Sequence, residues 1–128
     1  MNIMLVEPDP MMASLVEEFL SSQGYSVSLV SSAQDAVDWL DKKNRHCDLI
    51  ILEPILPNNS GIELIHELRS YEDWIDIPIV IHSRIDFETV FDRNSLKNDY
   101  GVNELIKKGS DSLRNLEISI NATRKIIR

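Results

Sequence analysis

Apolar residues fall along the chain in short dense runs, and the stretches between the runs carry apolar residues at helical spacing. Asn2 to Val6 is the first run, stopped by Glu7-Pro8-Asp9-Pro10. Met11, Met12, Leu15, Val16, Phe19 and Leu20 then recur at helical spacing with Glu17 and Glu18 outward, the stripe of an amphipathic helix. Asp9 suits the N-cap, Pro10 the first helical position and Gly24 the C-terminal stop. Tyr25, Val27 and Leu29 alternate with Ser26 and Ser28, the period of two expected of a half-exposed strand at a sheet edge. Ser31 or Ser32 caps a second helix through Ala33, Ala36, Val37, Trp39 and Leu40. Lys42, Lys43 and Arg45 sit near its end, where cations complement the helix dipole.

The second half repeats the alternation. Leu49 to Leu52 run into Glu53, followed by Pro54, Ile55, Leu56, Pro57, Asn58, Asn59, Ser60 and Gly61. Four apolar residues bounded by turn signals fit a strand buried on both faces. Ser60-Gly61 opens a third helix with Ile62, Leu64, Ile65 and Leu68 as its stripe, and Tyr71 to Asp76 form a loop. A fourth strand spans 77–83, with Pro78 near its start, where a missing ladder donor is tolerated. Asp86 caps a fourth helix through Phe87, Val90, Phe91 and Leu96; Tyr100-Gly101 turns the chain into a fifth strand over 102–107. The last helix carries Leu113, Leu116, Ile120 and Ile127, flanked by Ile118, Ala122 and Ile126. Five β-α units in strict alternation predict an α/β fold over 1–128 as a single domain: a five-stranded parallel sheet, helices on both faces and right-handed crossovers.

Composition removes several classes of function. Of the 128 residues 43% are hydrophobic and 27% charged, and the net charge is −8. A nucleic-acid-binding domain needs a basic footprint, so none is expected here. No 18-residue apolar run is present, so no membrane span is expected. The N-terminus lacks a basic leader region, which predicts a cytoplasmic location. The single cysteine, Cys47, excludes an internal disulfide and a cysteine zinc cluster. His46, His66 and Cys47 show no ligand spacing. Met11, Met12 and Trp39 read as packing residues.

Chemistry is expected at one edge of the sheet. Glu7 and Asp9 follow the first strand, Glu53 ends the third, Ser83 ends the fourth and Lys108 follows the fifth. A parallel sheet brings all of these together outside the carboxyl ends of its strands. Carboxylates so gathered hold a hard cation, pair with the lysine, or titrate high.

These positions give the chain a family resemblance. Over essentially its whole length it resembles the receiver domain of two-component response regulators, a flavodoxin-like fold with strand order 2-1-3-4-5. In that family acids follow strand one and a phospho-accepting Asp ends strand three, with a Pro four residues on and a Gly eight residues on. A Ser or Thr ends strand four and a Lys follows strand five. Pro57, Gly61, Ser83 and Lys108 stand at the matching positions.

The departures lie at the centre of the site. Glu53 takes the phospho-acceptor position, and its extra methylene moves the carboxylate by roughly one bond length, over ~1 Å. Pro8 falls where a direct magnesium ligand is usual. Leu105 replaces an aromatic residue, Gly109 replaces a Pro, and His82 and Arg84 bracket Ser83. The resemblance therefore implies a pseudo-receiver: not an enzyme, with no catalytic residue, no resident cofactor and no ordinary Asp- and Mg2+-dependent phosphorylation. Any Mg2+ would be held weakly by Glu7, Asp9 and Glu53.

Two arrangements of Glu53 stay open. It forms a fixed ion pair with Lys108, with Ser83 adding a hydrogen bond, and so imitates a phosphorylated site; or it is a partly solvated strand end. His82 is expected to be partly buried, its rival role being a pH-sensitive switch, and Arg84 to lie at the surface or reach over the pocket. The resemblance places the partner surface on helix four, strand five and helix five, including Tyr100, Leu105 and Lys107. Its partner is a histidine kinase, an output domain, another signalling protein or a second copy. One alternative is a phosphorylatable receiver that uses Glu53 with Mg2+. A small flavodoxin-like enzyme ranks below it, because Glu7-Pro8-Asp9-Pro10 is not a phosphate-cradling loop.

Overall fold

The apolar runs become strands β1 (Asn2–Val6), β2 (Ser26–Val30), β3 (Leu49–Leu52), β4 (Ile79–Ser83) and β5 (Val102–Lys107). Helices α1 (Pro10–Ser22), α2 (Ala33–Leu40), α3 (Gly61–Arg69), α4 (Arg93–Tyr100) and α5 (Ser112–Ile126) alternate with them. The computed structural model describes residues 1–42, 46–57, 60–86 and 93–126. All neighbouring strands pair parallel, in the order β2-β1-β3-β4-β5. The fold class and the edge position of β2 are as the sequence predicts.

Strand alternation divides the core into two layers. Met4, Val6, Ile50, Leu52, Ile79 and Ile81 face Ala36 and Leu40 of α2, Leu64, Ile65 and Leu68 of α3, and Leu96 of α4. Ile3, Leu5, Leu49, Ile51, Val80 and Ile106 face Val16 and Leu20 of α1 and Leu116 and Ile120 of α5. With both faces covered, β3 has no use for polar alternation and reads as a plain apolar run. Asp9, Ser32 and Ser60 cap α1, α2 and α3, accepting from the amides of Met11, Asp35 and Ile62, each at 3.1 Å.

The stripe of α1 differs from expectation. Ala13, Val16 and Leu20 are its buried residues, while Met11 is 83% exposed and Leu15 48%. With 3.6 residues per turn, Ala13, Val16 and Leu20 share one face, and Met11 and Leu15 fall on the opposite one, toward solvent. The fourth strand begins at Ile79 rather than 77, because Pro78 has no N–H for the ladder, although its carbonyl accepts from Ile50 at 2.9 Å. The register between β4 and β5 shifts at Ile79/Val80, and Asn103 Oδ1 takes the freed Ile79 amide at 3.0 Å. The expected helical residues Phe87, Val90 and Phe91, together with Lys43, Arg45, Asn58, Asn59 and Ile127, lie outside the described residues.

Arg69, at the end of α3, was not singled out by any sequence pattern. Its guanidinium donates to the carbonyls of Tyr100 (2.9 Å), Trp74 (3.1 Å), Ile75 (2.9 Å), Ile77 (2.8 Å) and Gly101 (3.2 Å). One side chain thus pins the 71–77 turn and the α4–β5 turn to α3. Among the described residues no helix is long and apolar enough to cross a membrane.

Candidate functional site

The site is set by where three strands stop. Val6 and Leu52 are register partners, so Glu7 and Glu53 emerge side by side from β1 and β3. Main-chain bonds fix each exit: Glu7 N to Val30 O at 3.0 Å, Glu53 N to Val6 O at 2.9 Å, and Lys108 N to Ser83 O at 2.7 Å.

Lys108 reaches both carboxylates. Its Nζ lies 2.6 Å from Glu7 Oε1 and 3.0 Å from Glu53 Oε1, with all three side chains at most 8% exposed. The second oxygen of each acid accepts a backbone amide, Asp9 N to Glu7 Oε2 at 3.2 Å and Ile55 N to Glu53 Oε2 at 3.1 Å. Each of the four carboxylate oxygens therefore has a donor. Two negative charges share one positive charge, out of water. Such a cluster tolerates burial only because every member is paired and hydrogen-bonded.

The partly solvated version of Glu53 is corrected by this geometry, since the residue is 7% exposed. The backbone after β3 closes on itself beside it. Ile55 bridges to Ser60, and Gly61 N donates to Pro54 O at 2.7 Å. A Cβ on Gly61 would sit 2.4 Å from Pro54 Cα, so only glycine allows this closure.

The remaining predicted residues divide around the cluster. Ser83 is buried, but its Oγ accepts from Ile85 N at 3.3 Å, and no bond to Glu53 accompanies it. The hydroxyl is held by its own loop. Asp9 caps α1 through Oδ1, while its Oδ2 meets Arg84 Nη2 at 3.5 Å across the top of the site. Arg84 thus reaches over the pocket, in a pair too exposed to add much stability. Pro8 contributes no side-chain oxygen.

His82 is 1% exposed rather than partly buried, because β4 lies between β3 and β5 with helices on both faces. Neither ring nitrogen has a hydrogen-bond partner. Burial, and then the positive charge of Lys108, push its pKa down to about 4, so the ring is neutral near pH 7.

Away from the cluster, Tyr100 and Leu105 are half-buried against the α2–α3 layer of the core, and Lys107 is exposed. The Tyr100 ring meets His66 edge-on, with centroids 4.6 Å apart. Leu105 and Lys107 also line a groove of about 320 Å³ between β5 and α5, closed by Asn115, Ile118 and Ser119.

Sequence reasoning treated Glu7 as one of several acids, yet it makes the shorter contact with Lys108. The available signal was its place directly after the strand adjacent to β3. As a magnesium site the donors fit poorly: Asp9 is turned to its helix, and Lys108 occupies the space between Glu7 and Glu53. Among the described residues no three His, Cys, Asp or Glu side chains are arranged to hold a metal ion.

Comparison with known proteins agrees with the fold. Residues 3–118 match the family described as response regulator receiver domain. The chain is 34% identical over 91 residues to the transcriptional regulatory protein MalR of Bacillus subtilis (strain 168), covering 70% of this chain and 37% of that protein. The chain thus spans well under half the length of that relative. A sensor protein from Polaromonas sp. JS666 superposes with a TM-score of 0.85 at 25% identity, covering 99% of this chain and 98% of the other. The receiver domain of a sensor histidine kinase from Pseudomonas aeruginosa PAO1, with a magnesium ion coordinated in its active site cleft, gives 0.75 at 24% identity, covering 95% and 96%.

Proposed function

The chain belongs to the response regulator receiver domain family, and on that premise we propose that it is a pseudo-receiver: a signalling module that makes protein contacts without Mg2+-dependent phosphorylation. The observation that carries this is the double ion pair of Lys108 with Glu7 and Glu53. The ammonium supplies inside the protein the positive charge that a metal ion would bring. Mg2+ asks for six oxygens at about 2.0–2.1 Å in octahedral array. Here the ion would have to displace the ammonium and draw two acids off their backbone donors, with no oxygen from Pro8.

Glu53 meets the other requirement of phosphoryl transfer no better. An acceptor oxygen must be free for in-line attack on phosphorus. Both of its oxygens are engaged, and the side chain is 8% exposed. An error of about 1 Å in such placement costs on the order of 100-fold in rate. Glu53 instead keeps its carboxyl group 3.0 Å from the Lys108 ammonium, which supports a role as a fixed imitation of the phosphorylated arrangement. Signalling then passes through contacts with a protein partner on the α4–β5–α5 surface around Leu105 and Lys107, with Tyr100 at its border.

Incubation with acetyl phosphate and Mg2+, followed by intact mass, tests this. The expected result is an unchanged mass, and a gain of one phosphoryl group on Glu53 overturns the proposal.

A further inference from the structure

The two edges of the sheet are built differently. β5 carries Glu104 and Lys107, its register is broken beside Ile79, and its Leu105 amide is taken by the Glu104 carboxylate at 3.2 Å. Charges and irregularities of this kind stop an edge strand from pairing with another chain. β2 has none of them. It reads Ser-Val-Ser-Leu-Val, with no charge, no proline and an unbroken register from Asn2↔Ser26 to Val6↔Val30. Leu29 is 42% exposed. From Phe19 to Gln34 the chain carries no charged side chain, in a molecule of net charge −8. The strand itself therefore sets no like charges against each other when two copies meet along it, and the charge recorded at its start is a cation, Arg124, whose Nη1 lies 3.5 Å from Tyr25 Oη.

The backbone of β2 is poised for a partner strand. Ser26 N donates to Met1 O at 3.2 Å, and Val30 O accepts from Glu7 N at 3.0 Å. In a parallel ladder alternate residues turn both polar groups to the same side. Ser26, Ser28 and Val30 therefore face β1, and Val27 and Leu29 direct N–H and C=O away from the sheet.

We infer that β2 is a self-association edge, where two copies pair β2 to β2, antiparallel, across a two-fold axis. The axis passes through Ser28, which faces itself. Val27 then lies opposite Leu29 of the second copy and Leu29 opposite its Val27, each pair exchanging both amide bonds. The apolar side chains of those pairs stack on the α1–α5 side, as cross-strand neighbours do. The alternative register centred on Val27 needs Tyr25 as an outward donor, but its amide is spent on Leu20 O at 3.2 Å. The product is a closed dimer in which two five-stranded sheets become continuous. This inference does not depend on the pseudo-receiver proposal, and each can fail without the other.

The test combines light scattering with crosslinking of the full chain. The wild type is expected to move from 14.7 kDa toward twice that mass as concentration rises. Leu29→Lys, at an exposed position outside the core, is expected to keep the circular dichroism of the wild type and remain monomeric. Opposed residues of a non-hydrogen-bonded antiparallel pair have Cα atoms about 4.5 Å apart, within disulfide reach. Ser28→Cys is therefore expected to form an interchain disulfide on mild oxidation, mapped to position 28 by digestion. Asn115→Cys, beside β5, is expected to stay uncrosslinked. A wild type that is monomeric throughout, with the edge left to solvent or another protein's strand, overturns the inference. So does a dimer that crosslinks through position 115 and not 28.

Discussion

Lys108 Nζ lies closer to Glu7 Oε1, at 2.6 Å, than to Glu53 Oε1, at 3.0 Å. Removing the lysine is therefore worse than removing either acid, because it leaves two buried carboxylates facing each other. Losing one partner of a buried pair typically costs about 3–5 kcal/mol. Lys108→Met is expected to fall in that range by urea denaturation at pH 7. Glu7→Gln and Glu53→Gln each leave a one-to-one pair and should lose less. Equal losses in all three variants would mean that the cluster does not act as a charge triad.

His82 makes stability depend on pH in a defined direction. Its folded-state pKa is about 4, held down by burial and then by Lys108, against about 6.5 in an unfolded chain. Between these values the unfolded state binds the proton and the native state does not. Stability is therefore lost as pH falls from about 6.5 to about 4, by on the order of 3 kcal/mol in total. His82→Leu removes both the proton site and two unpartnered nitrogens. The difference between wild type and variant isolates the histidine from the titrating carboxylates. Denaturation series at several pH values should show that difference growing in favour of the variant below pH 6.5. A constant difference would show that the ring finds a partner, or charges, in the folded protein.

Arg69 should behave as a structural clamp. Arg69→Met removes the guanidinium from five carbonyls, of which Trp74 O still accepts from Ile77 N at 3.2 Å. Hydrogen bonds from a charged group contribute about 1.5–3 kcal/mol each in isolation, but these share one side chain, so a total loss on the order of 3 kcal/mol is expected. Arg69→Lys should recover only part of it, since an ammonium lacks the planar fork. Hydrogen exchange should accelerate in the 71–77 turn and around Gly101. Unchanged exchange there would show that the turns hold without the clamp.

The contrast between Arg69 and Glu53 shows what the sequence carried and what it did not. Strand runs, the cap at Asp9, a cap at Ser31 or Ser32, the helix start at Ser60 and the edge strand β2 follow from local periodicity and turn chemistry, so they were legible in the sequence; the choice of Ser32 was made by its bond to the Asp35 amide. Glu53, Ser83 and Lys108 were legible as a group because a parallel sheet collects residues from strand ends. Their pairing was less so. Whether Ser83 bonds Glu53 or its own loop is decided by the Ile85 amide, 3.3 Å from Ser83 Oγ, and no pattern in the sequence announces that. Arg69 was invisible because its acceptors are backbone carbonyls up to 32 residues away, which leave no trace in side-chain identity. Met11 and Leu15 misled because they sit four residues apart on one face of α1, whereas the buried face is the opposite one, through Ala13, Val16 and Leu20.

The magnesium question reduces to two positions. Glu53→Asp shortens the acid by roughly one bond length, ~1.5 Å, and loosens it from Lys108. On its own this should not create a metal site, because Pro8 still offers no oxygen and Asp9 remains turned to α1, accepting from Met11 N at 3.1 Å. Pro8→Asp on its own adds a carboxylate beside an acid that Lys108 still neutralises. The double variant, Pro8→Asp with Glu53→Asp, supplies a second flexible oxygen donor and frees the first. Calorimetry is expected to show no specific Mg2+ binding for the wild type and for either single variant, and measurable binding for the double. Phosphoryl gain from acetyl phosphate should follow the same order. Specific Mg2+ binding by Glu53→Asp alone would show that the length of residue 53, and not the missing donor at position 8, keeps the metal out.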